Sequence, residues 1–230
     1  MKLKFKNIKG SIIAPQGFLA SGVFCDIKKL GTGKGSNKGP KRDLALIVSE
    51  MPATIAGMFT TNQVCAAPVK ICMERVETGR RAQALVVNSG NANACTGKQG
   101  MADAREMVSF TERALNFPKG SALVGSTGRI GVTMPMDNVR AGIIEAATLL
   151  GAAVENADHA AEAIMTSDSR SKQIAIEFKL GGKDSSHRRH LQRRRDDSTG
   201  HESDGRATGD FASRRASRDD VVLHHDGRGD

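Results

Sequence analysis

The chain has 230 residues but no Trp and no Tyr, and aromatic side chains make up only 3% of it. That scarcity removes the stacking platforms on which single-stranded nucleic acid is usually held. No apolar run approaches the roughly 18 residues that would cross a bilayer. The basic start, "MKLKFKNIKGSIIAPQGF", has no apolar stretch long enough for a secretory signal. Four cysteines are present, Cys25, Cys65, Cys72 and Cys95, and their spacing fits neither a zinc motif nor a CxxC redox pair. They are expected to be reduced, mostly buried thiols of a cytoplasmic protein, with no metal. No Ser-His-Asp or Cys-His pattern stands out. Five of the six histidines lie beyond residue 184, which leaves His159 on a predicted helix face.

The net charge of +9 is unevenly spread. From residue 184 onward ten Arg are balanced by nine Asp and one Glu, so the excess sits in residues 1–183. A basic body suits an anionic substrate or weak nonspecific contact with RNA. The balanced tail is a poor arm for DNA or RNA, because its Asp residues repel the phosphates its Arg residues attract.

Strand and helix patterns alternate through the body. Residues 43–50 ("DLALIVSE") and 54–62 ("TIAGMFTTN") predict two strands. Val69, Cys72 and Val76 define one helical face, and Gly79 supplies the stop. A strand follows in "AQALVVNSG". Met101, Ala104, Val108 and Leu115 form the stripe of an amphipathic helix. "SALVGSTG" is a further strand. "MDNVRAGIIEAATLLG" and "DHAAEAIMTSD" are predicted helices, and 172–180 ("KQIAIEFKL") is a strand with Ile174, Ile176, Phe178 and Leu180 in period two. The class is α/β or α+β. The loop "GTGKGSNKGPKR" at 31–42 has neither the spacing nor the flanks of a phosphate-binding loop and is expected to be solvated.

Chemistry is most plausible in two polar turns that follow apolar strands, "VVNSGNANACTG" at 86–97 and "GSTGRIG" at 125–131. Small residues there let a main chain approach a ligand closely and turn its N–H groups toward an oxyanion. Ordinary turn chemistry explains the same residues equally simply. The turn "AIMTSD" at 163–168 reads either as a helix end or as a place where Thr166 faces a substrate.

Seven segments, in order, change that balance: "APQGFLASGV", "DLALIVSEMPATIAGMFTTN", "AAPVK", "VVNSGNANACTG", "STGRIG", "MPM" and "AIMTSDS". Together they resemble the bifunctional ornithine acetyltransferase/N-acetylglutamate synthase family of arginine biosynthesis, over roughly residues 10–183. The resemblance implies a layered α/β/β/α sandwich like that of N-terminal-nucleophile enzymes, incomplete here. It implies acetyl transfer from N-acetylornithine to glutamate, with no cofactor and with acetyl-CoA as a possible second donor. It implies an α/β heterotetramer made by self-cleavage before a Thr whose freed α-amine acts as its base. Carried onto this sequence, the resemblance makes Thr127 and Gly128 the oxyanion hole and Thr166 a substrate contact. Two departures stand out. Ser167 replaces a second Thr and keeps a hydroxyl, and Arg129 stands where an apolar residue is usual.

The family's next motifs, "KGSGM" and "NMATML", occur nowhere in the 230 residues. Instead 184–230 lacks Lys, Ile, Met, Pro and Asn altogether. Back-translated with degenerate codons and read one nucleotide later, "SHRRHLQRRRDDS" at 186–198 permits Pro-Ile-Gly-Gly-Ile-Cys-Lys-Gly-Ala-Gly-Met-Ile. Read the same way, "RDDVVLHHDGRGD" at 218–230 permits Ala-Thr-Met-Leu-Cys-Phe-Ile-Thr-Thr-Asp-Ala-Ala. Residues 1–183 are therefore expected to be the acetyltransferase region, and 184–230 a frameshifted tail that is disordered from about Asp184. The rival reading is a noncatalytic protein whose Arg/Asp-rich disordered tail binds nucleic acid.

Overall fold

The structure is a computed structural model that describes residues 5–28 and 41–178, together with the main chain of 179–180, 183–189 and 219–224. Its centre is a mixed sheet. Strands β2 (Phe18–Val23), β3 (Leu44–Phe59), β4 (Ala82–Asn91) and β5 (Ala122–Arg129) lie side by side in that order, after a short strand β1 (Phe5–Ile8). β2, β3 and β4 run antiparallel, whereas β4 and β5 are parallel. A parallel pair needs a crossover, and helix α2 (Gly97–Ala114) provides it. Helix α1 (Ala67–Glu77) precedes β4. After β5 come α3 (Met136–Thr148), α4 (Val154–Ala163) and β6 (Ile174–Leu180).

The two faces of this sheet are covered differently. Alternate residues Leu44, Leu46, Val86 and Val124 form one core with Met107 of α2 and Ile143 of α3. The intervening residues Ala45 and Ile47 turn to the other face, where they meet Ala160 and Ala163 of α4. Period-two alternation in the strands is thus used on both faces, which is why "LALIV" is apolar throughout. α4 can sit so close because β2 carries Gly22. A Cβ there would run into the carbonyl of His159 and approach the N of Ala160 to 2.8 Å.

Residues 44–59 form one strand where two were expected, although its pairing register shifts between Val48 and Ala53. Pro52 lies inside that irregular stretch and has no N–H to offer a ladder. Helix α1 buries Pro68, Ile71 and Cys72 rather than the expected face of Val69, Cys72 and Val76. The Cys72 thiol donates to the Val124 carbonyl at 3.2 Å, and Ala67 and Ile71 beside it join the main core. Helix α2 carries the expected stripe, with Ala104 and Val108 buried and Met101 and Leu115 against the same core, but it begins at Gly97. It ends where Asn116 turns left-handed and the Phe117 N–H returns to the Glu112 carbonyl. α3 stops short of the expected 151, because Gly151 exchanges main-chain hydrogen bonds with Ala20 of β2. α4 starts four residues before the expected 158, and the polar turn 164–168 lies beyond it.

A second, smaller sheet contains β1, β6 and β7 (Lys183–Arg189). In β6 it is Ala175 that is buried, while Ile174 of the predicted apolar face is 43% exposed. Ile176 and Phe178 on that face are half-buried. Strand β8 (Asp219–His224) pairs with the outer part of β3, from Thr54 to Phe59. Both β7 and β8 fall where a disordered tail was expected. Strand pairing uses main-chain groups, so the edges of β6 and β3 accept a strand of almost any composition. The rest of 184–230, and positions 31–40 of the Gly/Lys-rich loop, lie outside the described residues.

The tight seat of α4 predicts that Gly22→Ala destabilises the fold by roughly 1–3 kcal/mol. Urea denaturation checks this, and an unchanged midpoint would mean that α4 does not pack as described.

Candidate functional site

The parallel strands β4 and β5 both run into polar turns at their C-terminal ends, the usual place for a ligand crevice in such a sheet. Register brings the two predicted turns together, with Ser89 opposite Thr127 and Gly90 opposite Gly128. Gly90 and Gly128 both have positive φ, +102° and +135°. A Cβ on Gly128 would collide with the Gly90 carbonyl carbon and reach the Asn91 N at 2.7 Å. Glycine is required at both positions by space as well as by conformation. Thr127 is half-buried and Gly128 is exposed, so the turn is open to a ligand.

The asparagines of "NSGNANACTG" hold this end of the sheet in shape. Asn88 donates to the Asn91 carbonyl at 2.8 Å. The Asn91 amide donates to the carbonyls of Val132 and Thr133 at 3.0 and 3.1 Å, and its own oxygen accepts the Asn93 N–H at 2.8 Å. Asn93 reaches on to the Gly100 carbonyl and accepts from Thr96 Oγ1. All three asparagines are fully buried. They tie the β4 turn to the 131–133 loop after β5 and to the start of α2. The same connection makes α2 begin at Gly97.

Thr166 is brought to the same end by another route. The Ser89 hydroxyl donates to the Ala163 carbonyl at the end of α4, and Thr166 follows three residues later. Its side chain is exposed. Asp168 shapes the turn by accepting the Thr166 N–H at 3.4 Å and the Lys172 ammonium at 2.5 Å. Burial pushes the Asp168 carboxyl up, but these hydrogen bonds outweigh it and hold its pKa below the ordinary 3.8. A depressed carboxyl stabilises the fold at neutral pH, and that contribution is lost as the pH falls through the lowered value. Among the described residues no hydrogen bond joins Thr166 to Thr127, so the two share an end of the sheet rather than a direct bond.

Asp43, at the head of "DLALIVSE", is not among the site residues expected from sequence. It is fully buried, and its carboxylate accepts the N–H groups of Cys25 at 2.7 Å and Lys28 at 3.1 Å. Its own carbonyl accepts the Ser89 N–H at 2.8 Å. The available signal was a lone carboxylate directly ahead of a wholly apolar strand. Arg129, the unusual residue of "STGRIG", is exposed, and its carbonyl accepts the Ala92 N–H. The cysteines divide differently from expectation. Cys25 and Cys72 are buried, but Cys65 is half-buried and Cys95 is exposed, and all four are free thiols. Burial raises the pKa of Cys25, helped by the Asp43 carboxylate, and burial likewise raises that of Cys72. Among the described residues there is no cluster of side chains able to hold a metal and no helix long and apolar enough to cross a membrane.

A parallel strand pair thus ends in a glycine-lined, open polar turn, with a threonine-bearing loop at the same end. Two solved structures share the fold. One is the arginine biosynthesis bifunctional protein ArgJ from Bacillus halodurans, 34% identical, with a TM-score of 0.72 over 81% of this chain and 92% of that one. The other is ornithine acetyltransferase complexed with ornithine from Mycobacterium tuberculosis, 33% identical, with a TM-score of 0.67 over 80% and 95%. The fold is thus a mixed α/β arrangement of the N-terminal-nucleophile type. Residues 21–187 match the ArgJ family, and the chain belongs to it. Relatives named arginine biosynthesis bifunctional protein ArgJ include that of Symbiobacterium thermophilum, 49% identical over 76% of this chain and 41% of its own length. That of Caldanaerobacter subterraneus is 47% identical over 77% and 41%. The chain spans about two fifths of the length of these curated relatives.

Two outcomes follow from the geometry. Asn91→Ala leaves the buried Asn93 N–H without its acceptor and frees the part-buried carbonyls of Val132 and Thr133, and is expected to cost about 1–3 kcal/mol. Hydrogen exchange should then rise first at 131–133, and uniform exchange across the chain would contradict the network. With a thiol reagent, Cys95 should react first and Cys25 and Cys72 only on unfolding, because a buried, protonated thiol is a poor nucleophile. Rapid modification of Cys25 in the folded protein would overturn this.

Proposed function

We propose that this chain is the N-terminal part of an enzyme that transfers acetyl from N-acetylornithine to glutamate. The observation that carries the reading is the Gly90–Gly128 contact, which holds an open main-chain turn beside the Thr166 loop, in a chain of the ArgJ family. In the proposed reaction a threonine hydroxyl attacks the acetyl carbonyl, its proton passes to the threonine's own α-amine and from there to the departing nitrogen, and the C–N bond breaks to release ornithine. The α-amine, with a pKa near about 8, is suited to accept that proton. The glutamate amine then attacks the acetyl ester and releases the threonine. Thr127 and Gly128 stabilise the oxyanion of both tetrahedral intermediates, and Thr166 contacts the substrate. The complete enzyme works in the cytoplasm as a heterotetramer of two kinds of chain.

The nucleophile is not within the 230 residues, because no cleavage motif is present. We assign residues 184–230 to translation in a shifted frame. Supporting this are the two motif-like stretches permitted one nucleotide later and the end of the family match at residue 187. In the register described, β8 pairs beyond the Ala53–Ala82 pair, at the end of the sheet away from Thr127. It therefore does not take the nucleophile's place.

Purified as it stands, the chain should keep a single mass on incubation and transfer no acetyl. A gene with the frame repaired ahead of Ser186 should yield a product that cuts itself before a Thr and exchanges acetyl between N-acetylornithine and glutamate. In that product Thr127→Ala should lower kcat about 100- to 1000-fold. Self-cleavage of the unrepaired chain within 195–220 would sink the frame assignment. Absence of acetyl exchange in the cleaved, repaired product would sink the functional one.

A further inference from the structure

We propose that Asp43 is a positioning residue for the Thr127–Gly128 turn, acting through the main chain of Lys28 and Gly90. The inference rests on the acetyl-transfer reading for its kinetic consequence, but its structural content is independent of it.

The argument starts from the cost of the carboxylate. Asp43 has no solvent exposure, and a buried carboxylate is expensive unless its charge is met by donors. It is met by two main-chain N–H groups on a single segment, Cys25 on Oδ1 and Lys28 on Oδ2. The segment is clamped further when the Asn138 amide donates to the Cys25 carbonyl at 2.9 Å and the Lys28 ammonium donates to the Arg42 carbonyl at 2.6 Å. Both oxygens of the carboxylate are therefore used to lay residues 25–28 across the end of the sheet.

What that segment rests on is Gly90. A Cβ at Gly90 would meet the Lys28 Cα at 2.7 Å and its N at 2.8 Å, closer than real side chains come. On its other side Gly90 is pressed against Gly128. Three main-chain segments are thus stacked without an intervening side chain, in the order Lys28, Gly90, Gly128. Asp43 anchors the first of them. Through its own carbonyl it also holds the N–H of Ser89, the residue in register with Thr127. One buried residue therefore fixes both rungs on which the turn stands. An oxyanion donor works only where its N–H already points at the developing charge, so a displacement well under 1 Å matters.

The test uses the frame-repaired enzyme. Asp43→Asn leaves one acceptor oxygen where two are needed, so one of the Cys25 and Lys28 bonds is lost. Gly90→Ala disturbs the same stack without touching Asp43. Each variant should lower kcat per active site, counted by the acetyl-enzyme burst, by about 10- to 100-fold, while KM for N-acetylornithine stays within about twofold. The double variant should be no worse than the weaker single one, because both act on one element. Amide exchange at Gly90 and Gly128 should accelerate in Asp43→Asn while the α2 amides around Met107 keep their protection. Unchanged exchange at Gly90 and Gly128, or losses that simply multiply in the double variant, would overturn the proposal. If the repaired enzyme transfers no acetyl at all, the functional reading fails, and the exchange measurement still decides this one.

Discussion

At the ends of β4 and β5 the main chain passes so close to itself that there is no room for a methyl group. Lys28 lies on Gly90 and Gly90 lies on Gly128, and two of the three stand at positive φ. Much of the surrounding structure serves this contact. Only glycine satisfies both the space and the dihedral angles, and glycine alone would leave the turn floppy. The rigidity comes from elsewhere, from the parallel ladder beneath and from the buried polar side chains around it.

Those side chains explain a motif that reads oddly as sequence. "NSGNANACTG" is rich in residues that favour loops, yet its asparagines are among the most deeply buried residues in the protein. Each uses its amide to satisfy main-chain groups that a turn leaves unpaired, which is the condition for burying a turn at all. Asn91 alone reaches two carbonyls and one N–H. The spacing of the three asparagines therefore reflects the path of the chain from β4 into α2 rather than three catalytic groups. In the proposed reading the oxyanion is held instead by Thr127 and Gly128, the one half-buried and the other exposed.

The layers divide along the same line. One face of the central sheet is packed against α2 and α3 through large aliphatic side chains. The other is covered by α4 through alanines, which lets the helix end, and with it the Thr166 loop, approach the Ser89–Thr127 rung closely. Small residues on that face are thus what place the second threonine-bearing turn. The small sheet of β1, β6 and β7 is less complete, for the apolar side of β6 remains half exposed among the described residues.

By itself the sequence determined the class, most of the elements and the two turns. Period-two runs and helical stripes report burial directly, and the turn residues carry their conformational needs in their own chemistry. The family resemblance added roles for Thr127, Gly128 and Thr166, which no spacing could have assigned. Tertiary structure alone decided the rest. Whether 43–62 is one strand or two depends on what pairs beside Pro52, and the face that α1 buries depends on the core that receives Ala67 and Ile71. Most of all, Asp43 was illegible. Its importance lies in two N–H groups 15 and 18 residues away in the chain, and in a strand that arrives more than 40 residues later. A local pattern records which side chains want to be buried. It does not record which main-chain groups will need a partner once they are.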